Sequence, residues 1–107
     1  RPDGEAFGQP ECAAMRAAAE AAGLAYTPIP IDHSGFSMPQ VEAMAAVLAT
    51  GEPVLAYCRS GTRSTLLWAL AKAHGGGDPG EIAEAAAAAG YDVSPVAGAL
   101  RQLSTRA

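Results

Sequence analysis

The chain divides into short stretches in which apolar residues recur with a helical period, punctuated by glycine and proline. Strong helix formers run from Pro10 to Ala22, with Pro10 suited to a first turn and Gly23 placed to end it, which predicts a helix. Leu24 to Ile31 alternates apolar residues as a strand does. Pro28 and Pro30 have no N–H for a ladder, however, so an edge or irregular strand is expected, running into the loop Asp32-His33-Ser34-Gly35. Ser37 with Gln40 three positions on has the form of a capping box, and Val41, Met44, Ala45 and Leu48 then share a helical face up to Gly51. Pro53 to Tyr57 is a short apolar run that predicts a fully buried central strand. Ser64 to Ala73 reads as a helix that is apolar nearly all round (Leu66, Leu67, Trp68, Leu70) and is expected to lie against a sheet. Beyond Gly75-Gly76-Gly77, Asp78-Pro79-Gly80-Glu81 opens a helix to Ala89 with Gly90 after it. Ser94-Pro95 opens a last helix ending near Leu103.

These elements predict one α/β domain over residues 1–107, a small central sheet flanked by helices. Two readable strands are too few for a stable sheet, so either further strands are expected before Arg1 or the fold is a thin one. Composition adds to this picture. Half of the 107 residues are apolar, enough for a modest core, while only two Phe and one Trp leave it short of large anchors. Seven Lys+Arg against eleven Asp+Glu give a net charge of −4, and no basic cluster exceeds Arg59 to Arg63, which argues against a nucleic-acid partner. The longest apolar run, Leu66 to Ala73, is far short of the roughly 20 residues of a membrane span. No signal peptide is visible, although the sequence starts at Arg1 without a Met. Cys12 and Cys58 make neither a disulfide framework nor a metal knuckle, and free thiols suit a reducing cytoplasm. No metal-ligand spacing and no nucleotide fingerprint is present, since Gly75-Gly76-Gly77 lacks a following Lys-Ser/Thr. Neither kind of cofactor is expected.

The chemistry concentrates in Tyr57-Cys58-Arg59-Ser60-Gly61-Thr62-Arg63-Ser64, between a strand and a helix. A thiol at that position meets the unpaired N–H groups of a helix N-terminus, which favour a thiolate and an oxyanion beside it. Gly61 permits the tight turn that aims successive N–H groups inward. Arg59 and Arg63 add planar guanidinium groups able to hold two oxygens of a tetrahedral anion, and Ser60, Thr62 and Ser64 supply short hydroxyl donors. Each residue type fits covalent catalysis on an oxyanion, with Cys58 as nucleophile. The opposing reading, an inert core cysteine with solvated arginines, fits Cys12 on its Ala-rich helix better than it fits Cys58.

YCRSGTRS resembles the active-site loop of rhodanese-type sulfurtransferases, Cys-Arg-x-Gly-x-Arg-Ser/Thr, through Cys58, Arg59, Gly61, Arg63 and Ser64. The wider chain resembles the phosphatase-like domain of the beta-lactamase-hydrolase-like proteins. That likeness is carried by RPDGE at Arg1 to Glu5, GQP at Gly8 to Pro10, the Ile29 to Ile31 segment, PVLAYCRSGTRSTLLWALA and the late AAAAAGYDVS. It implies a protein-tyrosine/dual-specificity phosphatase-like fold with two more strands upstream, and a family described both as phosphatase-like and as a sulfur transferase. It also implies a general acid on the loop after the IP-containing strand, the place that Asp32 occupies. Cysteine phosphatases set their phosphate-binding Arg six positions after the nucleophile with His before it. Here Arg63 is fifth, Ser64 sixth, and Tyr57 replaces the His. One position entering a helix turns a side chain by roughly 100°.

Three readings therefore stand. The first is a phosphomonoester hydrolase working through phosphocysteine on Cys58, with Asp32 as acid and Arg59, Arg63 and the loop N–H groups as cradle. The second is a sulfurtransferase carrying sulfane sulfur on Cys58 from thiosulfate or a persulfide to a thiol. The third is a non-catalytic oxyanion-binding module. Its expected partner is a fused or neighbouring sulfur-metabolism enzyme; otherwise the expected ligand is a small oxyanion or phosphorylated substrate. Asp32 also suits a plain turn that bonds the Ser34 or Gly35 backbone. His33 is a second candidate acid, and Asp3 and Arg1 would reach the site if they lie at the same strand edge. Trp68 and Tyr91 read as packing residues, and His74 as a favourable charge at a helix C-terminus.

Overall fold

The computed structural model describes residues 1–32 and 34–106, so His33 lies outside the described residues. The chain forms two compact units, Arg1–Gly35 and Phe36–Ala107.

In the first unit, α1 spans Cys12–Ala21 and begins later than Pro10 because its leading N–H is taken from outside: Cys12 N–H donates to Asp3 Oδ1 at 2.6 Å. This carboxylate does what an N-cap side chain would do for the first turn. Upstream, Arg1 Nε pairs with Glu5 at 3.1 Å and Gln9 Nε2 donates to Pro2 O at 2.9 Å, folding the first nine residues back on themselves. Helix α1 buries no side chain, and Arg16 places its guanidinium 5.8 Å from the Tyr26 ring centre. Gly23, at φ +80°, ends it as expected.

The second unit holds α2 (Met38–Leu48), α3 (Thr62–His74), α4 (Pro79–Ala88), a single 3₁₀ turn (Ser94–Val96) and α5 (Ala97–Arg106). The Ser37/Gln40 capping box is formed, with Ser37 N–H donating to Gln40 Oε1 at 2.8 Å. Asp78 caps α4 by accepting Glu81 N–H at 3.0 Å, with Pro79 in the first turn. Helix α3 packs on α2, α4 and α5 and buries Leu67, Ala69, Leu70, Ala71 and Ala73. Around it Val41 and Met44 of α2, Ile82 and Ala86 of α4, Val93, and Leu100 and Leu103 of α5 complete the core. Trp68 stays half-buried. Lys72 and His74 occupy the last turn of α3, where positive charge is favourable.

The expected central sheet is not formed: there is no strand among the described residues. Leu24 to Ile31 and Pro53 to Tyr57 form neither helix nor ladder. The second is not buried either, since Leu55 is 90% and Val54 41% exposed. An apolar run records a tendency to be covered, but a strand exists only where a neighbour exchanges hydrogen bonds with it. Helix α3 is correspondingly buried by other helices instead of by a sheet. No helix among the described residues is long and apolar enough to cross a membrane.

Candidate active site

The loop after Tyr57 turns directly into α3 and takes its shape from one glycine. Gly61 sits at φ +91° as the N-cap, a left-handed conformation that a side chain disfavours, and having no side chain it offers α3 no capping oxygen. Its carbonyl instead gathers the first turn, accepting Thr65 N–H at 2.9 Å, Thr65 Oγ1 at 2.7 Å and Ser64 Oγ at 3.1 Å. The open N–H groups at the start of the helix are thereby left to the Cys58 sulfur.

Cys58 is half-buried, and Gly61 N–H donates to its Sγ at 3.1 Å. Burial is the largest single influence on the thiol and pushes it up. The N–H groups of Ser64 and Ser60, the Ser64 hydroxyl and the Gly61 N–H together outweigh burial and bring the thiol from 9.0 down to about 7. The Ser64 hydroxyl has one proton, so it serves either the sulfur or the Gly61 carbonyl at a given moment. At neutral pH a large share of Cys58 is thiolate, the form that attacks.

Around this sulfur the structure brings together Ser60, Gly61 and Ser64. The Ser60 and Thr62 hydroxyls bond to each other at 3.2 Å and are exposed, so an incoming anion would compete with that pair for their protons. Arg59 is exposed beside Cys58, and Arg63 is half-buried in the first turn of α3, fifth after the cysteine. Because α3 already begins at Thr62, no extra loop residue moves Arg63 back to the sixth position. Asp32 belongs to the first unit, where its Oδ1 accepts Ser34 N–H at 2.8 Å and Ser34 Oγ at 2.5 Å. This is the turn its residue type suggested. Asp3 and Arg1 are engaged with Cys12 and Glu5 in the same unit. Cys12 is half-buried at the start of α1. Among the described residues no three His, Cys, Asp or Glu side chains are grouped to hold a metal ion.

One contact was not legible from the local sequence. The Tyr91 hydroxyl donates to Ser60 O at 3.0 Å, and its ring lies so close to Gly61 that a Cβ there would overlap Oη and come within 2.9 Å of Cζ. Tyr91 is therefore more than the packing anchor its sequence context suggested.

The fold is similar to that of a candidate phosphatase of Neisseria meningitidis. Its crystal structure matches with a TM-score of 0.76 at 34% identity, covering 96% of this chain and 74% of that one. That likeness makes the chain a phosphatase-like domain. Residues 1–75 match the family described as beta-lactamase hydrolase-like protein, phosphatase-like domain, and the chain belongs to that family. The beta-lactamase hydrolase-like protein of Xylella fastidiosa is 42% identical over 73 residues, 67% of this chain. That of Agrobacterium fabrum is 39% identical over 74 residues, 68% of this chain. The chain spans 17% of the length of these curated relatives.

Proposed function

We propose that the chain is a cysteine-dependent phosphomonoester hydrolase on a protein-tyrosine/dual-specificity phosphatase-like fold. The observation that carries this reading is the Cys58 thiol lowered to about 7 by donors of the loop and the first turn of α3, in a chain of a phosphatase-like family. The thiolate attacks phosphorus and the P–O bond to the leaving alkoxide breaks, with Asp32 giving that oxygen a proton. Water then attacks phosphocysteine and gives a proton back to the Asp32 carboxylate, the P–S bond breaks, and inorganic phosphate leaves Cys58 as thiolate again. Arg59, Arg63 and the loop N–H groups offset the charge on the equatorial oxygens, with Ser60, Thr62 and Ser64 as further donors.

A second reading rests on the position of Arg63. Cys58-Arg59-x-Gly61-x-Arg63-Ser64 has the spacing of a sulfurtransferase loop, in which Cys58 would take sulfane sulfur as a persulfide and pass it to a thiol. One experiment separates the two. The protein is incubated with excess thiosulfate, desalted and weighed intact, and in parallel assayed on a generic aryl phosphate. Aryl phosphate turnover lost in Cys58→Ser supports the hydrolase. A gain of about 32 Da, one sulfur, lost in Cys58→Ser establishes the persulfide and favours sulfur transfer. Silence in both assays leaves a non-catalytic oxyanion-binding module, for which a fused or neighbouring sulfur-metabolism enzyme is the fitting partner.

A further inference from the structure

We propose that Tyr91 is a positioning residue: its hydroxyl fixes the peptide between Ser60 and Gly61 so that the N–H of that peptide stays aimed at the Cys58 sulfur. A trans peptide is planar and carries its C=O and N–H on opposite edges, so holding one edge orients the other. No cis peptide bond occurs among the described residues. On one edge of this unit Ser60 O accepts the Tyr91 hydroxyl at 3.0 Å, and on the other Gly61 N–H reaches Cys58 Sγ at 3.1 Å.

The peptide needs such a restraint because glycine supplies none. Gly61 tolerates wide rotation about its backbone, and a flipped plane would turn the Ser60 carbonyl oxygen toward a thiolate in place of a donor. The Tyr91 ring blocks part of that space, since it already occupies the position of a Cβ on Gly61. A hydrogen bond at the carbonyl also polarises the peptide and strengthens its N–H as a donor.

Tyr91 is itself held from behind. Its N–H donates to Ala86 O of α4 at 2.9 Å after the turn at Gly90 (φ +90°), and Val93 beyond it is buried. Asp92 is occupied by Ser94, accepting its N–H at 2.9 Å and its hydroxyl at 2.8 Å. Tyr91 lies outside residues 1–75, the part matched by the family. The support thus comes from a segment that carries none of the loop's own chemistry.

The inference rests on the reading of Cys58 as the reactive group, but its test does not require turnover. In a Cys12→Ser background, the rate of iodoacetamide alkylation of Cys58 is followed against pH for the parent and for Tyr91→Phe, with thermal melts of both. The other titratable and charged groups around the loop, Tyr57, Arg59, Arg63 and Asp92, are unchanged by the substitution. The expected result is a midpoint raised by about 0.5 to 1 pH unit, with alkylation at pH 7 slowed about two- to fivefold and the melt lowered by about 2–10 °C, as loss of one hydrogen bond costs. An unchanged midpoint in a folded variant overturns the proposal. Should Tyr91→Phe fail to fold, amide exchange at Gly61 in the parent decides: protection supports the restraint, and exchange at the rate of an unstructured peptide overturns it. A shifted midpoint in a protein inactive on both aryl phosphate and thiosulfate would keep the positioning role and refute the proposed chemistry instead.

Discussion

Gly61→Ala tests whether the turn and Tyr91 form one energetic unit. At φ +91° an alanine pays for the left-handed conformation, about 1–2 kcal/mol. Its Cβ also meets the Tyr91 hydroxyl and Cζ, so the ring must swing away and surrender its bond to Ser60 O, a further loss of about 0.5–1.5 kcal/mol. The sum is about 1.5–3.5 kcal/mol, a fall in melting temperature on the order of 10 °C for a domain of this size. In a Tyr91→Ala background the second part is already gone, and the same substitution should cost only the conformational part, about 1–2 kcal/mol. Urea denaturation of the parent, both single variants and the double variant, compared at constant m, gives the cycle directly. Equal costs of Gly61→Ala in the two backgrounds, within about 0.3 kcal/mol, would refute the coupling between ring and turn.

Four donors act against burial to bring the Cys58 thiol from 9.0 down to about 7. Ser64→Ala removes one of these donors and should raise the alkylation midpoint, and an unmoved midpoint would show that the hydroxyl stays on the Gly61 carbonyl. Because a thiol is charged above its pKa, thiolate and any activity that needs it should rise with pH through about 7 and level off above it, as a pH–rate profile with Cys58 as nucleophile must show. Asp32→Asn should lower aryl phosphate hydrolysis by about 100-fold or more while leaving persulfide formation nearly unchanged; equal hydrolysis in the variant would remove Asp32 as the acid. Leu100→Ala, at a site only 2% exposed, should cost about 2–5 kcal/mol in urea denaturation, and a cost under about 1 kcal/mol would mean the core there collapses to fill the space.

The helices were legible because each announces its own ends. Asp78-Pro79, Ser37 with Gln40, and the glycines at 23, 51 and 90 are local signals, and they fall within two or three residues of the observed boundaries. The candidate loop was legible for the same reason, since Cys58, Ser60, Gly61 and Ser64 lie within seven consecutive positions. Pro53 to Tyr57 failed as a strand because its apolar run specifies a wish for cover but not the neighbour that would provide a ladder. Tyr91 was missed because its partner is 31 residues away and neither residue carries a mark of the other. The turn at Asp32 followed from its residue type, whereas a role in proton transfer depends on a substrate that no spacing along the chain specifies.

The segment that matches the family and the part that packs around the cysteine loop have different ends. The match to the family runs over residues 1–75, ending one residue past the last turn of α3, yet α3 is packed on α4 and α5 and the Tyr91 hydroxyl bonds the loop before it. A polypeptide trimmed to the similar region would keep every residue of the cysteine loop and lose both the cover of its supporting helix and the grip on its central peptide. Residues 76–107 therefore belong in any transplant of this loop into another protein. A graft defined by sequence likeness alone would carry the reactive groups without the scaffold that aims them.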